Sequence, residues 1–317
     1  MAFTYDQINT FCRTHVVPKI VNNVILSSAI LYRLMSKAKK WNGGPFHETP
    51  IWHTENPNAE SYTGAGVLAI AQAEEASKTR FAPRQYNAAL TLTGLELAEN
   101  AGAAKVLNLI KEKAKWAEQS LKNLFGSKLF TAQAGTHLDA LPDCCAALTA
   151  TYGNILPGDV ATWESSAGST GSSGGPDAVT NSLTRTVLNK HYNSCKIDED
   201  KPTMIATTDD IAAAIEAVFL QPNMRYVDKK LAQLGFDSFK YKSCDVLTSS
   251  HVAAGDLWML NENHLYFAVF PGMNFKHIPF IKTNNYDYIV SHIRWYGNLI
   301  CDARRLQGWM SAITGVA

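Results

Sequence analysis

The segment spanning residues 46–93 constrains the fold of this chain more than any other feature. Its two ends are typical of strands, with Pro-Ile-Trp-His-Thr at 50–54 and Ala-Ala-Leu-Thr-Leu-Thr at 88–93. The sequence between them is polar and contains two glycines and the adjacent acids Glu74 and Glu75. This pattern predicts a long hairpin. Because two strands alone are only marginally stable in water, the hairpin needs a second surface, which could lie on another chain.

Amphipathic helices are predicted before and after the hairpin. Apolar residues at helical spacing predict a first helix over 18–40, with Pro18 in its first turn and an Asn-Gly-Gly-Pro stretch after its end. A second helix is predicted from a capping box of Thr93 and Glu96 to Gly126. At 1.5 Å per residue it would span roughly 45 Å. One face of this helix is predicted to be buried, formed by Leu95, Ala98, Val106, Ile110, Ala114, Ala117, Leu121 and Leu124.

The outer face of the second helix is rich in lysine. It carries Glu112 and Glu118 together with five basic residues, Lys105, Lys111, Lys113, Lys115 and Lys122. Two interpretations are open at this point. The face is either an ordinary solvated surface or a basic lining toward an enclosed polyanion.

The middle of the chain mixes a low-complexity stretch with regular elements. Residues 165–177 are rich in Ser and Gly, which predicts a mobile surface loop. A helix is predicted over 177–192, a short strand over 203–207, and a further helix over 208–220 with acidic residues at its start.

The last third of the chain predicts strands, at 239–241, 257–260, 265–270 and 288–296. In the last of these, Ile289, Ile293 and Trp295 are expected on one face. His292 and Arg294 are expected on the other. Helices early and in the middle with strands late indicate an α+β chain.

The composition is that of a globular protein, with 46% apolar and 18% charged residues. The 29 Lys and Arg residues nearly balance the 28 Asp and Glu residues. A protein that condenses nucleic acid needs many basic contacts to phosphate, and this charge balance does not supply them. If DNA lies nearby, the chain is expected to enclose it rather than bind it tightly.

The cysteines and the N-terminal region bear on location. The six cysteines include no CxxC pair and are expected to be reduced thiols in a cytosolic protein; they are Cys12, Cys144, Cys145, Cys195, Cys244 and Cys301. The N-terminus has no basic start followed by an apolar run, so no signal peptide is expected. The apolar stretch 16–35 is interrupted by Pro18, Lys19 and Arg33, so no membrane span is predicted.

Candidate phosphate and metal sites are weak. The Gly-rich stretch 165–177 matches neither GxxxxGKS/T nor GxGxxG. His47 and His53 flank Glu48 and lie near Glu55, but their spacing matches no HExxH-type zinc motif. Four later histidines recur at intervals but are assigned to different strands or turns: His251, His264, His277 and His292. The sequence therefore predicts no cofactor and no metal ligand.

Candidate catalytic residues are equally sparse. Cys195 and His191 form the best nucleophile and base pair. Four residues apart, they would face each other only if a helix continued through 192–194, which the sequence does not favour. Glu74 and Glu75 are adjacent, so they diverge in extended chain and make a poor acid/base pair. No catalytic residue is predicted, and a Cys-dependent hydrolase is the less favoured alternative.

Five stretches in sequence order carry a resemblance to a known family. They lie at 21–51, 92–100, 138–163, 234–261 and 295–308. The last, with Trp-Tyr-Gly-Asn-Leu-Ile-Cys-Asp and Arg-Arg-Leu-Gln-Gly, is the most specific, whereas His137 and Tyr152 depart from the pattern of the third. Across nearly its whole length the chain resembles the major capsid proteins of tailed bacteriophages, which have the Hong Kong 97-like fold.

The resemblance implies an organisation of the chain into five parts. These are an N-terminal arm at 1–45, an extended hairpin loop at 46–93, a peripheral domain with a long spine helix at 94–150, an axial domain at 151–275, and return strands of the peripheral domain at 276–317.

The resemblance also implies a function. The chain would be a structural subunit that self-assembles into hexamers and pentamers of an icosahedral shell, enclosing double-stranded DNA without sequence-specific binding. A portal and scaffolding or decoration proteins are the further partners it suggests. The expected location is the virion, with assembly in the host cytoplasm and no membrane. The alternative from the same fold is a nanocompartment shell that encloses cargo enzymes.

Overall fold

The computed structural model describes residues 28–52, 55–71, 76–99, 103–145, 151–156, 159–160, 163–165, 182–219, 239–282 and 286–316. The helices are α1 Ala29–Ser36, α2 Gly94–Glu99, α3 Ala103–Leu129, α4 Leu141–Cys145, α5 Arg185–Ser194 and α6 Asp209–Phe219, with a 3-10 turn at Arg304–Leu306. The strands are β1 Lys39–Lys40, β2 His47–Trp52, β3 Ala76–Phe81, β4 Arg84–Thr93, β5 Ser182–Leu183, β6 Met204–Thr207, β7 Phe239–Tyr241, β8 Cys244–Thr248, β9 Leu257–Leu260, β10 Leu265–Val269, β11 Lys276–Lys282, β12 Tyr288–Cys301, β13 Gly308–Met310 and β14 Gly315–Val316.

The first sheet is organised around β12, the longest strand. On one edge β12 pairs antiparallel with β4 over the whole of β4. On the other edge it pairs with β11 and then with β10, and β1 extends the sheet beyond β10. One face of this sheet lies against α3, where the ring of Phe125 lies 4.9 Å from that of Tyr86 and 5.2 Å from that of Trp295. Burial of these large rings stabilises the packing of α3 on the sheet.

The second sheet has the order β13-β9-β6-β8-β7. All four residues of β6 and all four of β9 are buried. Helices α5 and α6 contribute Leu188, Ile211 and Ile215 to an apolar cluster against this sheet. A strand that is buried on both faces has a continuous run of apolar residues in its sequence, as β9 has in Leu-Trp-Met-Leu. The mixture of helices and sheets confirms the predicted α+β class.

The predicted hairpin exists, but its strands differ from the expected ones. β2 and β3 pair from His47↔Phe81 to Trp52↔Ala76. The stretch 88–93 instead belongs to β4 in the first sheet, because Leu90 and Leu92 are buried there. Residues 53–54 and 72–75 lie outside the described residues.

The first predicted helix ends earlier than expected. Of the range 18–40, only 28–40 is described, and the helix within it is Ala29–Ser36. Lys39 and Lys40 form a strand instead, because they pair in parallel with Ala268 and Val269. The partner strand lies more than 200 residues away, so the local pattern could not reveal it.

The second predicted helix is described as α2 and α3. The capping box is confirmed: Thr93 N donates to Glu96 at 2.9 Å, and Glu96 N donates to the Thr93 hydroxyl at 3.3 Å. Leu95 and Ala98 were expected on the buried face, but both are exposed. Gly126 does not end α3, which continues to Leu129. A Cβ at Gly126 would overlap the ring of His251, so this glycine allows close packing.

The later elements follow the predicted pattern with shifted ends. The strands at 239–241 and 257–260 are confirmed. The helix expected over 177–192 is α5 in the described residues, and the Thr184 hydroxyl accepts from Val187 N at its start. In β12, Ile289, Ile293 and Trp295 are buried, as predicted. Residues 166–177 of the Ser/Gly-rich stretch lie outside the described residues.

The sheet pairings cross the division expected at 275/276. Leu265–Val269, assigned to the axial part, pairs within the first sheet. Gly308–Met310, assigned to the return strands, pairs with β9 in the second sheet. The two sheets are therefore linked by the chain passing between them more than once.

Candidate assembly surfaces

The end of the hairpin exposes large apolar side chains. Val67 and Ile70 are 96% and 92% exposed, and Tyr62 and Trp52 are 64% and 72% exposed. Isolated exposed apolar residues are common on proteins, but a concentration of them on one projecting segment indicates an interaction surface.

Side-chain hydrogen bonds hold the hairpin together beyond its strands. Asn58 exchanges two bonds with the backbone of Ala71, of 2.7 and 2.8 Å. Glu60 accepts from Ala69 N at 2.9 Å. The two sides of the hairpin thus stay together at 58–71 without a hydrophobic layer of their own.

The base of the hairpin is anchored to the body of the protein. Arg80 N donates to the Gly153 carbonyl at 2.8 Å. The ring of Phe81, which is buried, lies 5.1 Å from that of Tyr152. The hairpin is therefore fixed at one end and exposed at the other.

A buried ion cluster fixes α1 to the second sheet. Arg33 binds Glu262 through two of its nitrogens and Asp245 through a third. Burial opposes the ionisation of Glu262, but the hydrogen bond and charge of Arg33 outweigh it, so the pKa of Glu262 is lowered. No local sequence pattern predicts this cluster, because Arg33 lies more than 200 residues from both carboxylates.

The lysine-rich face of α3 is partly neutralised. Lys113 binds the Glu96 carboxylate at 2.7 Å and the Thr91 carbonyl at 2.9 Å. Lys122 pairs with Glu118 at 2.9 Å, one turn away on the same helix. Lys115 is exposed beside Trp116, which is 71% exposed. This face is solvent-accessible, and a role toward a polyanion stays a prediction.

The structure brings Cys195 and His191 together, contrary to expectation. Helix α5 continues to Ser194, so the two side chains lie one turn apart and both pack on Gly308. They are 0% and 1% exposed. Burial lowers the pKa of His191 to about 4, so the imidazole is neutral near pH 7. A substrate has no access to this pair, which argues against the hydrolase alternative.

The other candidate residues are separated. His47 is buried beside the ring of Trp41, and burial and the charge of Lys39 lower its pKa. Glu48 instead pairs with Arg80 at 3.1 Å. His53, Glu74 and Glu75 lie outside the described residues, and Glu55 is exposed on the hairpin.

The four later histidines also occupy separate places. His251 packs on Gly126, His264 binds Asp302 at 2.8 Å, His277 binds Ser291 at 2.8 Å, and His292 lies on the outward side of β12.

Within the described ranges, no group of three or more His, Cys, Asp or Glu side chains is arranged to hold a metal ion. The five cysteines in those ranges are buried. None of the helices described there is both long and apolar enough to cross a bilayer.

Comparison with known proteins identifies the fold. No family model and no curated protein matches the sequence. Among solved structures, the chain is similar to the capsid asymmetric unit of cyanophage A-1(L), with 16% identity, a TM-score of 0.67, and coverage of 91% of this chain and 93% of that one. The chain has the Hong Kong 97-like capsid fold. This confirms the fold expected from the resemblance.

Two further structures with the capsid fold extend the comparison. A chain of Mycobacterium phage Patience shows 12% identity and a TM-score of 0.54, covering 100% of this chain and 91% of that one. The SrpI encapsulin of Synechococcus elongatus shows 10% identity and a TM-score of 0.51, covering 75% and 76%. At such low identity the likeness establishes the fold alone.

The C-terminal stretch that carried the strongest resemblance has a structural role in this capsid fold. Asn298 is buried in β12, where its amide nitrogen donates to the Ala82 carbonyl at 2.9 Å and its oxygen accepts from Asp139 N at 2.9 Å. Buried Arg304 donates to the Cys144 carbonyl at 2.9 Å. These side chains bind the backbone of other segments, so this stretch holds the fold together rather than forming a reactive site.

Proposed function

We propose that this protein is the major capsid subunit of a tailed bacteriophage, which self-assembles into hexamers and pentamers of a closed icosahedral shell. The observation that carries this is the anchored hairpin with its exposed apolar end, on a chain with the capsid fold. An exposed apolar segment is a liability in a monomer and is useful when a neighbouring subunit covers it. The contact would join different surfaces of identical subunits, which generates rings when the rotation closes.

The five-part organisation is part of this proposal. The first sheet with α3 would form the peripheral domain and the second sheet with α5 and α6 the axial domain, with β10 and β13 crossing the division expected at 275/276. The shell would enclose double-stranded DNA without reading its sequence, consistent with the balanced charge of the chain. A portal and scaffolding or decoration proteins would be further partners. The subunit would be assembled in the host cytoplasm and become part of the virion.

A structural role without catalysis is part of the same proposal. The best nucleophile and base pair is sealed in the core, as described above. Two of the similar solved structures are a cyanophage capsid and an encapsulin. A nanocompartment shell is the second candidate, supported by the similarity to an encapsulin. The phage reading is favoured because the cyanophage chain is more similar and covers more of this protein.

Electron microscopy of the purified protein, with light scattering on the same sample, tests this function. We expect closed shells, tubes or capsomer rings. Nuclease-protected DNA in particles from infected cells would support the phage assignment, whereas protein cargo without DNA would support the nanocompartment. A protein that stays monomeric or dimeric at high concentration, with and without co-expressed scaffold candidates, would contradict both.

A further inference from the structure

The loop 42–46 joins β1 to β2 and begins with the only Asn-Gly dipeptide of the sequence. All five of its residues are exposed. The loop is fixed at both ends, because Trp41 N donates to the Val269 carbonyl at 2.9 Å and His47 is buried. Its middle is therefore an open stretch of chain held between two packed positions.

The backbone nitrogen of Gly43 is accessible to the side chain that precedes it. Gly43 has a φ of +89°, which favours glycine, and a Cβ built there would meet no atom within 4 Å. Within the described residues, neither the Gly43 N–H nor the Asn42 side-chain amide has a hydrogen-bond partner. The Asn42 side chain can therefore rotate toward this nitrogen without breaking a contact.

An asparagine amide beside such a nitrogen is chemically labile. The deprotonated Gly43 nitrogen attacks Asn42 Cγ and displaces the side-chain amide as ammonia, which closes a five-membered succinimide. Water then opens the ring at one of its two carbonyls. Opening at Cγ leaves aspartate, whereas opening at the backbone carbonyl leaves isoaspartate, in which the main chain runs through the former side chain. Each product carries one new negative charge.

Two other accessible asparagines are protected by the fold. In the hairpin, Asn58 exchanges two hydrogen bonds with the backbone of Ala71, and the following Ala59 N donates to the Asn56 carbonyl at 3.1 Å. Asn193 is exposed but lies in the last turn of α5, where backbone N–H groups bind carbonyls one turn earlier. At both places the nitrogen that would attack is already engaged.

We propose that Asn42 is a site of spontaneous modification, at which the folded protein converts to isoaspartate and aspartate. The inference is independent of the proposed assembly, since the reaction needs only this loop and water. The new carboxylate lies two positions after Lys40, and isoaspartate lengthens the loop by one backbone atom. Because the loop is fixed at both ends, the fold is retained, and the converted fraction increases with the age of the protein.

Peptide mass spectrometry of the folded, full-length protein aged at 37 °C and pH 8.5 tests this. The peptide with Asn42 should gain the mass of an NH2-to-OH replacement. It should do so at least about tenfold faster than peptides with Asn58 or Asn193, since an engaged N–H reacts only after local opening. An isoaspartate-specific carboxyl methyltransferase should methylate the same peptide, using S-adenosylmethionine as the methyl donor.

Two variants separate the effect of the fold from that of the dipeptide. Asn42→Gln should stop the conversion, because attack on the longer side chain would close a less favourable six-membered ring. Ala59→Gly creates a second Asn-Gly dipeptide at 58–59, where the backbone bonds to Ala71 and Asn56 can remain. Asn58 in this variant should convert much more slowly than Asn42. In urea, where both segments are unfolded, the two sites should convert at equal rates.

Three results would overturn the inference. The first is that Asn42 is unchanged after weeks at pH 8.5 in the folded protein. The second is that Asn58 of the folded Ala59→Gly variant converts as fast as Asn42, because the dipeptide rather than the open loop would then set the rate. The third is that Asn58 of this variant stays slow in urea, since the neighbouring sequence rather than the fold would then protect it.

Discussion

Two antiparallel strand pairs in this molecule are stabilised in different ways. β4 and β12 pair from Thr93↔Tyr288 to Arg84↔Gly297, and their inward residues are buried under α3. β2 and β3 pair over a shorter length, and none of the described hairpin residues 55–71 is buried. The first pair is stable because the chain itself supplies the covering layer. The second pair is extended at 55–71 by a few hydrogen bonds, and this extension has no covering layer among the described residues, so we expect a neighbouring subunit to cover it on assembly.

Deletion of residues 64–71 tests this difference most strongly. The deletion removes Val67 and Ile70 but leaves β2 and β3 whole. We expect closed shells to disappear, because the exposed surface that a neighbour would cover is gone. The circular dichroism spectrum should change little, since the deleted residues contribute nothing to either core. Size-exclusion chromatography and electron microscopy measure the result, and normal shells would show that the hairpin end is dispensable.

Substitution of one isoleucine in each region compares them quantitatively. Ile110 in α3 is 2% exposed. Ile110→Ala should therefore lower the free energy of unfolding by about 2–5 kcal/mol, the usual cost of a large-to-small change in a core. Ile70→Ala should change it by less than about 0.5 kcal/mol, because Ile70 is 92% exposed. Urea denaturation of dilute, unassembled protein measures both. If both substitutions lowered the free energy of unfolding equally, the hairpin end would be as well packed as α3, contrary to this comparison.

Elements set by local chemistry were predictable from the sequence. The capping box of Thr93 and Glu96 needs only two residues three positions apart, and it forms as expected. The buried strand Leu257–Leu260 is recognisable as a continuous apolar run. A hairpin was predictable from the polar, Gly-containing stretch that follows a strand, but its second strand was not. That strand is Ala76–Phe81, whereas the strand-like stretch 88–93 pairs with β12 in the first sheet.

Features that depend on distant partners were not predictable. Arg33 finds Asp245 and Glu262 only once the second sheet is built. Gly126 resembles a helix end, but it lies inside α3, where the ring of His251 occupies the space that a Cβ would take. Which side chains of β11 lie opposite those of β12 depends on the register of the two strands, which shifts between Ile278 and Ile281. Alternation within β12 predicted the outward positions of His292 and Arg294, but not the Lys276 that lies opposite.

Gly126→Ala tests how tightly α3 packs against the ring of His251. A Cβ there would overlap the ring of His251, which would have to move. Ala favours a helix over Gly, but overpacking of this kind typically costs about 1–3 kcal/mol. We therefore expect a net loss of stability in urea denaturation. Gly66→Ala on the hairpin is the control, because a Cβ there would make only ordinary contacts of 3.5 Å or more. A stabilised Gly126→Ala would show that His251 moves aside without cost.

The smallest expected effect is electrostatic and also lies in the packed region. The hydrogen bond to Asp302 is the main cause of the raised pKa of His264, and it outweighs the burial that opposes it. A raised pKa in the folded state means that the pair stabilises fully below the unfolded pKa of about 6.5. This contribution is lost as the pH rises through the folded pKa. His264→Gln should therefore destabilise at pH 5.5 by less than about 1 kcal/mol, since the pair is partly solvated. The difference from the unchanged protein should shrink toward pH 8.5, and a constant difference across this range would show that the bond does not depend on the charge of His264.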